Sequence, residues 1–312
     1  MRAVVTGGAG FLGSHLCEKL LAKGYAVTAF DSLITGRESN LEPVADLDGF
    51  EFRRRDICES LGVEGDVDLV FHLASPASPF DYLKYPIETL RAGTIGTLNC
   101  LELAQKKNCV ILLASTSEVY GDPLEHPQRE EYWGNVNPIG VRSVYDEAKR
   151  VSESMMMAYH RERGVGVRIA RIFNTYGPRM KLDDGRVVPS LIGQALRGED
   201  LTVFGDGTQT RSFCYVSDLI EGLLRLAERE VEGPVNLGNP EEVSIIDFAR
   251  LVLEMTGAGS EVIFEDLPKD DPRARKPDIA KAREFLEWQP VVDLRKGLEL
   301  TIDWFKSKLD KA

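Results

Sequence analysis

At 312 residues and 43% hydrophobic content, the chain is long enough for one large domain or two closely packed ones around a sizeable core, which excludes a disordered or fibrous protein. Thirty-eight Lys and Arg stand against 50 Asp and Glu, a net charge of -12, so neither nucleic acid nor an anionic membrane is an expected partner and any anionic ligand needs a local site. The five cysteines (Cys17, Cys58, Cys100, Cys109 and Cys214) are odd in number and never spaced as CxxC; this argues against a disulfide framework and a zinc knot and makes a reducing cytoplasm the simplest compartment.

The first residues, Arg2–Thr6, read as a buried strand, which leaves no room for a signal peptide, and no apolar run approaches the roughly 20 residues needed to span a bilayer. A soluble cytosolic protein is expected. Further strand-like runs follow at 26–30, 68–73, 110–115 and 166–172, with helical spacing of apolar residues over 11–23, 87–107 and 144–163 between them. Strand and helix in alternation predict a parallel sheet, and nearly unbroken Val/Ile/Leu runs predict strands buried on both faces: an α/β, doubly wound fold. After Ile172 the regularity breaks. Residues 174–186 are rich in Gly, Pro and Asp, and a helix at 188–197, a short strand at Leu201–Phe204 and a turn at 205–210 mark a second, smaller unit. A helix at 216–229 and a strand at Pro234–Leu237 can return to the main sheet, so the division is discontinuous, with 1–172 plus 212–240 in the sheet domain and 173–211 plus 241–312 in the other. Neither an internal repeat nor a low-complexity segment is present.

Directly after the first strand comes Thr6-Gly7-Gly8-Ala9-Gly10-Phe11-Leu12-Gly13, opening the helix that begins near Phe11. Glycines let the backbone turn tightly and approach a pyrophosphate, whose charge is met by free N–H groups at a helix N-terminus. A plain strand-to-helix turn could use the same glycines, but the strand before, the helix after and Asp31 closing the next strand favour a dinucleotide. Asp31 stands where a carboxylate accepts hydrogen bonds from ribose hydroxyls and repels a 2'-phosphate, so NAD is favoured over NADP; Arg37 weakens that preference, since a nearby Arg can receive a phosphate. Asp56, after the basic residues Arg53 to Arg55, is readable either as a bond to the adenine amine or as an ordinary strand-end turn.

Tyr145 and Lys149 lie four apart in a helical stretch, so both face one way, and an ammonium beside a phenol is expected to lower the phenol's pKa and make it a base. Many helices carry a Tyr and a Lys at this spacing. Here the strand at 110–115 runs into Ser115-Thr116-Ser117-Glu118, which puts hydroxyls and a carboxylate at the carboxyl end of a parallel strand, where doubly wound folds bind ligands. His72 ends a buried strand and His126 sits in a Pro-flanked loop with no second ligand at metal spacing, so both read as structural and no metal is expected. Met155, Met156 and Met157 read as core or as a dimer interface.

The Thr6 to Gly13 loop, the Tyr145/Lys149 pair and the hydroxyl-bearing strand end resemble the extended short-chain dehydrogenases/reductases over essentially the whole chain. More narrowly, His72-Leu73-Ala74-Ser75-Pro76-Ala77-Ser78-Pro79, Tyr132-Trp133-Gly134, Asn137-Pro138-Ile139-Gly140 and the segments 115–121, 171–180, 209–213 and 275–278 resemble the UDP-glucuronate decarboxylases, which make UDP-xylose. This resemblance implies a Rossmann-type sheet domain that binds NAD, a smaller C-terminal domain that binds a nucleotide sugar, and a homodimer pairing the Tyr145 helix with 87–107. It implies a catalytic set of Thr116, Glu118, Tyr145, Lys149 and Arg275. Cofactor contacts are implied for Gly7, Gly10, Phe11, Leu12, Gly13 and Asp31, for Ser32, Thr35, Gly36, Asp56 and Ile57, and for Leu73, Ala74, Ser75 and Thr175, with Tyr145 and Lys149. Asn174 and Arg211 are implied to hold the UDP phosphates, with Val187, Val188 and Phe204 flanking the uracil and Pro76, Ser78, Glu118, Tyr215 and Arg275 as further substrate contacts. Arg179 and Arg186 read equally as ligand contacts and as solvated charges.

The chemistry so implied is oxidation at the sugar C4, with Tyr145 as base and the nicotinamide as hydride acceptor, loss of CO2 from C5 beta to the new ketone, and return of the hydride to C4. Glu118 is the holder of a proton-donating water or of the ring, and Arg275, or its neighbour Arg273, the partner of the sugar carboxylate. Related 4,6-dehydratases carry an acid where this chain has Ser117, and related 4-epimerases generally lack the Glu118 carboxylate. A 4-epimerase or 4,6-dehydratase is the alternative within the class; a catalytically silent NAD-binding regulator is the alternative outside it.

Overall fold

The computed structural model describes residues 1–266 and 274–309. In the first half, β1 (Arg2–Thr6), α1 (Phe11–Ala22), β2 (Ala26–Asp31), β3 (Phe50–Arg54) and β4 (Leu69–His72) precede the short helices α2 (Pro79–Lys84) and α3 (Pro86–Arg91). Then come α4 (Thr97–Lys107), β5 (Val110–Thr116), α5 (Ser143–Arg163) and β6 (Val167–Ile172). The second half holds β7 (Thr175–Tyr176), α6 (Val187–Arg197), β8 (Leu201–Phe204), β9 (Thr210–Ser212), β10 (Cys214–Tyr215), α7 (Val216–Glu228) and β11 (Pro234–Leu237). It ends with β12 (Glu242–Ser244), α8 (Ile245–Thr256), β13 (Val262–Glu265), β14 (Ala274–Arg275), α9 (Ala280–Leu286) and α10 (Leu294–Leu309).

Seven parallel strands form one sheet in the order β11-β6-β5-β4-β1-β2-β3. Side chains alternate between its faces. Ala3, Val5, Ala29, Phe71 and Leu112 pack on the side of α1 and α7; Val4, Phe30, Val70, Ile111 and Ile169 pack on the side of α4 and α5. Both faces are therefore dry, which is why these strands read as continuous apolar runs, and truncating a fully buried side chain such as Phe71 to Ala should cost about 3–5 kcal/mol. Met156 is fully buried among the α4–α5 residues.

Two elements depart from the sequence expectation. β3 is an edge strand whose outward residues Glu51 and Arg53 pair with each other at 2.7 Å, so its half-polar alternation hides a parallel strand. The helix expected over 87–107 runs on through α3 and α4 and departs only in one wide turn at Ala92–Gly96, whose flanking residues keep helical dihedrals. There a Cβ on Gly93 would come within 2.7 Å of the Ala148 Cβ in α5, so glycine is what lets the two helices approach. Small sheets outside the main one pair β12 with β9 and β9 with β14, and so carry Arg275 back beside Arg211. Among the described residues no helix is long and apolar enough to cross a membrane, and all five cysteines are free thiols.

Candidate active site

The carboxyl ends of β1, β2, β4, β5 and β6 share one edge of the sheet, where parallel strands leave a crevice. A cavity of about 850 Å³ opens there and runs from Gly7 to Phe204 and Arg211 in the smaller unit. At its first end the backbone does the shaping. The N–H groups of Gly7 and Gly8 both donate to the Phe30 carbonyl, at 2.7 and 3.1 Å, and Gly7 adopts φ +73°. A Cβ on Gly7 would stand 2.8 Å from the Ala74 nitrogen, and one on Gly13 would stand 2.0 Å from the Gly7 carbonyl oxygen. α1 starts here with no acidic residue in its first turn and no side-chain cap. The Asp31 carboxylate closes β2, accepting from the Leu33 and Ala9 N–H groups at 2.8 and 3.0 Å; burial pushes its pKa up against those two bonds. Ser32, Thr35, Gly36, Asp56, Ile57, Leu73, Ala74, Ser75 and Thr175 line the same stretch of the cavity.

Arg37 answers the question its position raised. Its guanidinium donates to the carbonyls of Arg179 and Met180, both at 3.2 Å, and so ties two loops together. Arg179 pairs through Nη2 with Glu18, whereas its Nη1 is buried at the cavity wall with no partner among the described residues.

At the reactive centre, Thr116 ends β5 and its hydroxyl accepts from the Glu118 N–H at 3.2 Å, which starts the turn that carries Glu118. Tyr145 and Lys149 project from the first two turns of α5, both buried. The Lys149 ammonium donates to the Ala114 carbonyl at 2.8 Å and stands 5.8 Å from the centre of the Tyr145 ring. The expected lowering of the phenol pKa is not the net result. Burial dominates and raises it, the hydrogen bond with Thr116 pulls it back, and the Glu118 charge raises it further. Burial also lowers the Lys149 pKa to about 8, against the Glu153 carboxylate. The Tyr82 ring stacks on Tyr145, centroids 5.2 Å apart and planes 7° from parallel.

Glu118 lies between two guanidiniums. Its Oε2 accepts from Arg142 Nη2 at 2.9 Å and its Oε1 from Arg275 Nη1. Burial alone would raise this carboxyl, but Arg275 and Arg142 overcome it and hold the group well below its usual range. Arg275 also donates from Nη2 to the Gly121 carbonyl at 3.1 Å, and its buried Nε has no partner among the described residues. Arg273 lies outside the described residues. Behind the centre, Arg171 grips Glu153 with two hydrogen bonds of 3.0 and 2.8 Å and reaches the Tyr120 hydroxyl at 3.0 Å, while Ser115 donates to Glu153 at 2.5 Å. This network braces the end of β5 against α5.

Towards the smaller unit the cavity is walled by Asn174, Val187, Val188, Phe204 and Arg211, with Pro76 and Ser78 on the other side; Ser78 caps α2 by accepting from the Asp81 N–H at 3.2 Å. The buried Asn174 Nδ2 has no partner among the described residues, an unused donor beside the pocket. Arg186 also lines the cavity, paired with Asp184 and lying 5.8 Å over the Phe11 ring. Tyr215 corrects the sequence reading: it is not among the residues lining the cavity. Its ring packs edge-on against Tyr176 in the core, centroids 5.6 Å apart, because β10 pairs with β7 beneath the pocket. His72 is fully buried between the hydroxyls of Thr6 and Thr97, each at 3.0 Å, and burial lowers its pKa to about 3. No group of side chains among the described residues could hold a metal.

The model of the NAD dependent epimerase/dehydratase family matches residues 3–238. "UDP-glucuronic acid decarboxylase 1" of Xenopus tropicalis is 55% identical over 99% of this chain and 73% of its own length. "UDP-glucuronic acid decarboxylase 6" of Arabidopsis thaliana is 55% identical over 99% of this chain and 90% of its own length. Among solved structures, UDP-glucuronic acid 4-epimerase from Bacillus cereus, in complex with UDP-glucuronic acid and NAD, superposes with a TM-score of 0.88 at 30% identity, covering 99% of this chain and 100% of that one. The chain belongs to the NAD dependent epimerase/dehydratase family.

The pocket of this family member fits NAD. The Gly7–Gly13 turn leaves room that any side chain would fill, the uncapped start of α1 and the unspent Arg179 Nη1 suit a diphosphate, and Asp31 suits ribose hydroxyls. Three residues at the reactive centre were not singled out from the sequence: Tyr82, Arg142 and Asp146. Arg142 did carry a signal. A cation at the N-cap of a helix opposes the helix dipole, so an arginine three residues before the Tyr145 position called for another reason.

Proposed function

We propose that this enzyme decarboxylates UDP-glucuronate to UDP-xylose, using NAD as a bound cofactor that is regenerated in each cycle. The observation that carries the reading is identity of 52–55% over 99% of the chain to proteins named UDP-glucuronic acid decarboxylase, against 27–31% for the structural neighbours named as epimerases. Residues 1–172 plus 212–240 hold the cofactor in this reading, and 173–211 plus 241–312 the nucleotide sugar.

Bound NAD supplies an acceptor for the hydrogen at C4 of the sugar and gives it back, so the reaction is redox-neutral. Tyr145 takes the proton of the C4 hydroxyl. Because burial holds this phenol high, its loss of a proton is helped by the Thr116 hydroxyl bonded to it and by the Arg186 charge, and in this reading by the Lys149 ammonium, which stands 5.8 Å from the ring centre. The C4 ketone lies beta to the C5 carboxylate. The bond from C5 to the carboxyl carbon breaks, CO2 departs, and the electron pair moves onto the C4 oxygen, where Tyr145 and Thr116 donate hydrogen bonds to the growing charge. A proton then returns to C5 and Tyr145 returns its own to the C4 oxygen. Glu118, kept ionised by two guanidiniums, is a poor acid but a strong acceptor, which suits it to orienting a water or a ring hydroxyl. Ser117 supports decarboxylation over 4,6-dehydration, because a buried serine hydroxyl is far too weak an acid to expel the C6 hydroxyl.

The test is direct: incubated with UDP-glucuronate, the enzyme should release CO2 and form a UDP-pentose detectable by mass spectrometry. Formation of UDP-galacturonate without CO2 would instead indicate 4-epimerisation, the activity named for the Bacillus cereus neighbour on the same sugar nucleotide. Five free thiols suit a cytoplasmic enzyme. Exposed Ile87, Ile95 and Val151 on the α3–α4 and α5 faces support a homodimer, which light scattering of the purified protein would measure.

A further inference from the structure

We propose that Tyr82 is a positioning residue for the base: its ring fixes the plane of the Tyr145 ring, and α2, tied to the loop at 181–186, joins that hold to the nucleotide-sugar end of the cavity. This inference rests on Tyr145 being the base of the reaction assigned above. A tyrosine hydroxyl stands at the end of a long lever, where rotation about χ1 swings the oxygen and rotation about χ2 turns the plane in which the conjugated O–H points. The χ2 torsion of an aromatic side chain is broad, so packing has to hold it. At Tyr145 the oxygen is held by the hydrogen bond with Thr116. One face of its ring is held by Tyr82, whose plane lies 7° from parallel at a centroid distance of 5.2 Å, the offset stack that aromatic rings prefer. Tyr82 is itself only 2% exposed, so it is a fixed wall and not a loose surface side chain. Burial also pushes its hydroxyl's pKa up, which keeps Tyr82 a neutral phenol that offers the base a surface and no charge.

The wall is anchored from the other unit. α2 has six residues, too few to persist on its own hydrogen bonds. Pro79 starts it, the Ser78 hydroxyl caps it by accepting from the Asp81 N–H at 3.2 Å, and two contacts then hold it in place. The Asp81 carboxylate pairs with the Lys181 ammonium at 3.3 Å, and the Phe80 ring lies so close over Gly185 that a Cβ there would come within 2.9 Å of it. Lys181 and Gly185 belong to the loop that leads through Arg186 into Val187 and Val188, all on the cavity wall. Three consecutive residues of one short helix therefore serve two units: Phe80 and Asp81 grip the loop of the smaller one, and Tyr82 holds the base of the larger.

The experiment measures, per NAD-containing site, kcat for CO2 release and KM for UDP-glucuronate, together with the affinity for UDP-xylose by calorimetry. Tyr82→Leu should lower kcat about 10- to 100-fold, the effect of a misplaced reacting group, with KM, UDP-xylose affinity and NAD content within about 3-fold of wild type. Tyr82→Phe keeps the ring and should hold kcat within about 3-fold. Asp81→Ala leaves the buried ring in place and loosens only its anchor, so kcat should fall about 2- to 5-fold at unchanged KM even if the loss of the ring itself prevents folding. A Tyr82→Phe enzyme as slow as Tyr82→Leu would make the hydroxyl the acting group, and a rise in KM and loss of UDP-xylose affinity at unchanged kcat would make Tyr82 a sugar contact; either result overturns the inference, as does wild-type kcat in Tyr82→Leu or in Asp81→Ala. A wild-type enzyme that releases no CO2 overturns the assigned reaction, whereas CO2 release with any of these outcomes overturns this inference alone.

Discussion

The two ends of the cavity are built from different materials. At the cofactor end the surface is backbone: the Gly7–Gly13 turn, the start of α1 and the N–H groups around Asp31 lie within one β-α-β stretch of chain. At the sugar end the surface is charged side chain, brought together from β5, the loop before α5 and β14, with Arg275 bonded to Glu118 across 157 positions. A backbone site is fixed as soon as its strand and helix form, and it tolerates little chemical variation. A side-chain site depends on the whole topology, and substitutions there change chemistry without changing fold, as the named activities of the family's members illustrate.

Tyr145 stands where the two ends meet, and its loss should have the largest effect. Tyr145→Phe should lower kcat by about 10²- to 10⁴-fold, measured as CO2 release, while the NAD content of the purified protein stays at the wild-type level. A variant that lost NAD in proportion would break the distinction between the two ends.

Glu118→Gln acts on the sugar end alone. It removes the anion that the Arg142 and Arg275 guanidiniums share, and breaking a buried pair of this kind costs about 3–5 kcal/mol, which appears partly as lost stability in thermal denaturation and partly as lost kcat. NAD content should not change. Gly13→Ala is the mirror experiment: the added methyl would sit 2.0 Å from the Gly7 carbonyl oxygen, so the turn must open, at about 1–3 kcal/mol. NAD content should fall, yet the ratio of UDP-glucuronate to UDP-xylose affinity in the fraction that keeps its cofactor should hold.

The same difference in material decided how much could be read from sequence. Glycine spacing, the strand before it and Asp31 are neighbours in the chain, and the wall they form is the one that spacing describes. The helical pair Tyr145 and Lys149 and the strand end at Thr116 were likewise legible, because each belongs to a regular element with its own period. Arg142 was legible only as an unfavourable cation at a helix start, and Asp146 not at all, since what distinguishes them is proximity to Glu118 and burial, and neither has a period. Tyr215 was misassigned for the complementary reason: its ring packs against Tyr176 in the core, and only the pairing of β10 with β7 shows which way it turns. The lowered phenol expected at Tyr145 erred in direction, with local charge weighed but burial left out.

The smallest expected effect concerns Lys149 and pH. Burial lowers its pKa from the ordinary 10.5 to about 8, so the folded enzyme releases this proton in a range where the unfolded chain still holds it. Between about 8 and 10.5 the unfolded state thus binds more protons, and this lysine makes stability rise with pH over that window, being least favourable below 8 where the buried ammonium is fully formed. Activity should run the opposite way. If the ammonium is what brings the Tyr145 phenol within reach of deprotonation, kcat should fall on the alkaline side as pH rises through about 8. Lys149→Arg, whose cation persists far above that range, should flatten the alkaline limb even if its overall rate is lower. An alkaline limb unchanged in Lys149→Arg would mean that the falling rate reports another group, and that the positive charge at this seam contributes to holding the site rather than to moving the proton.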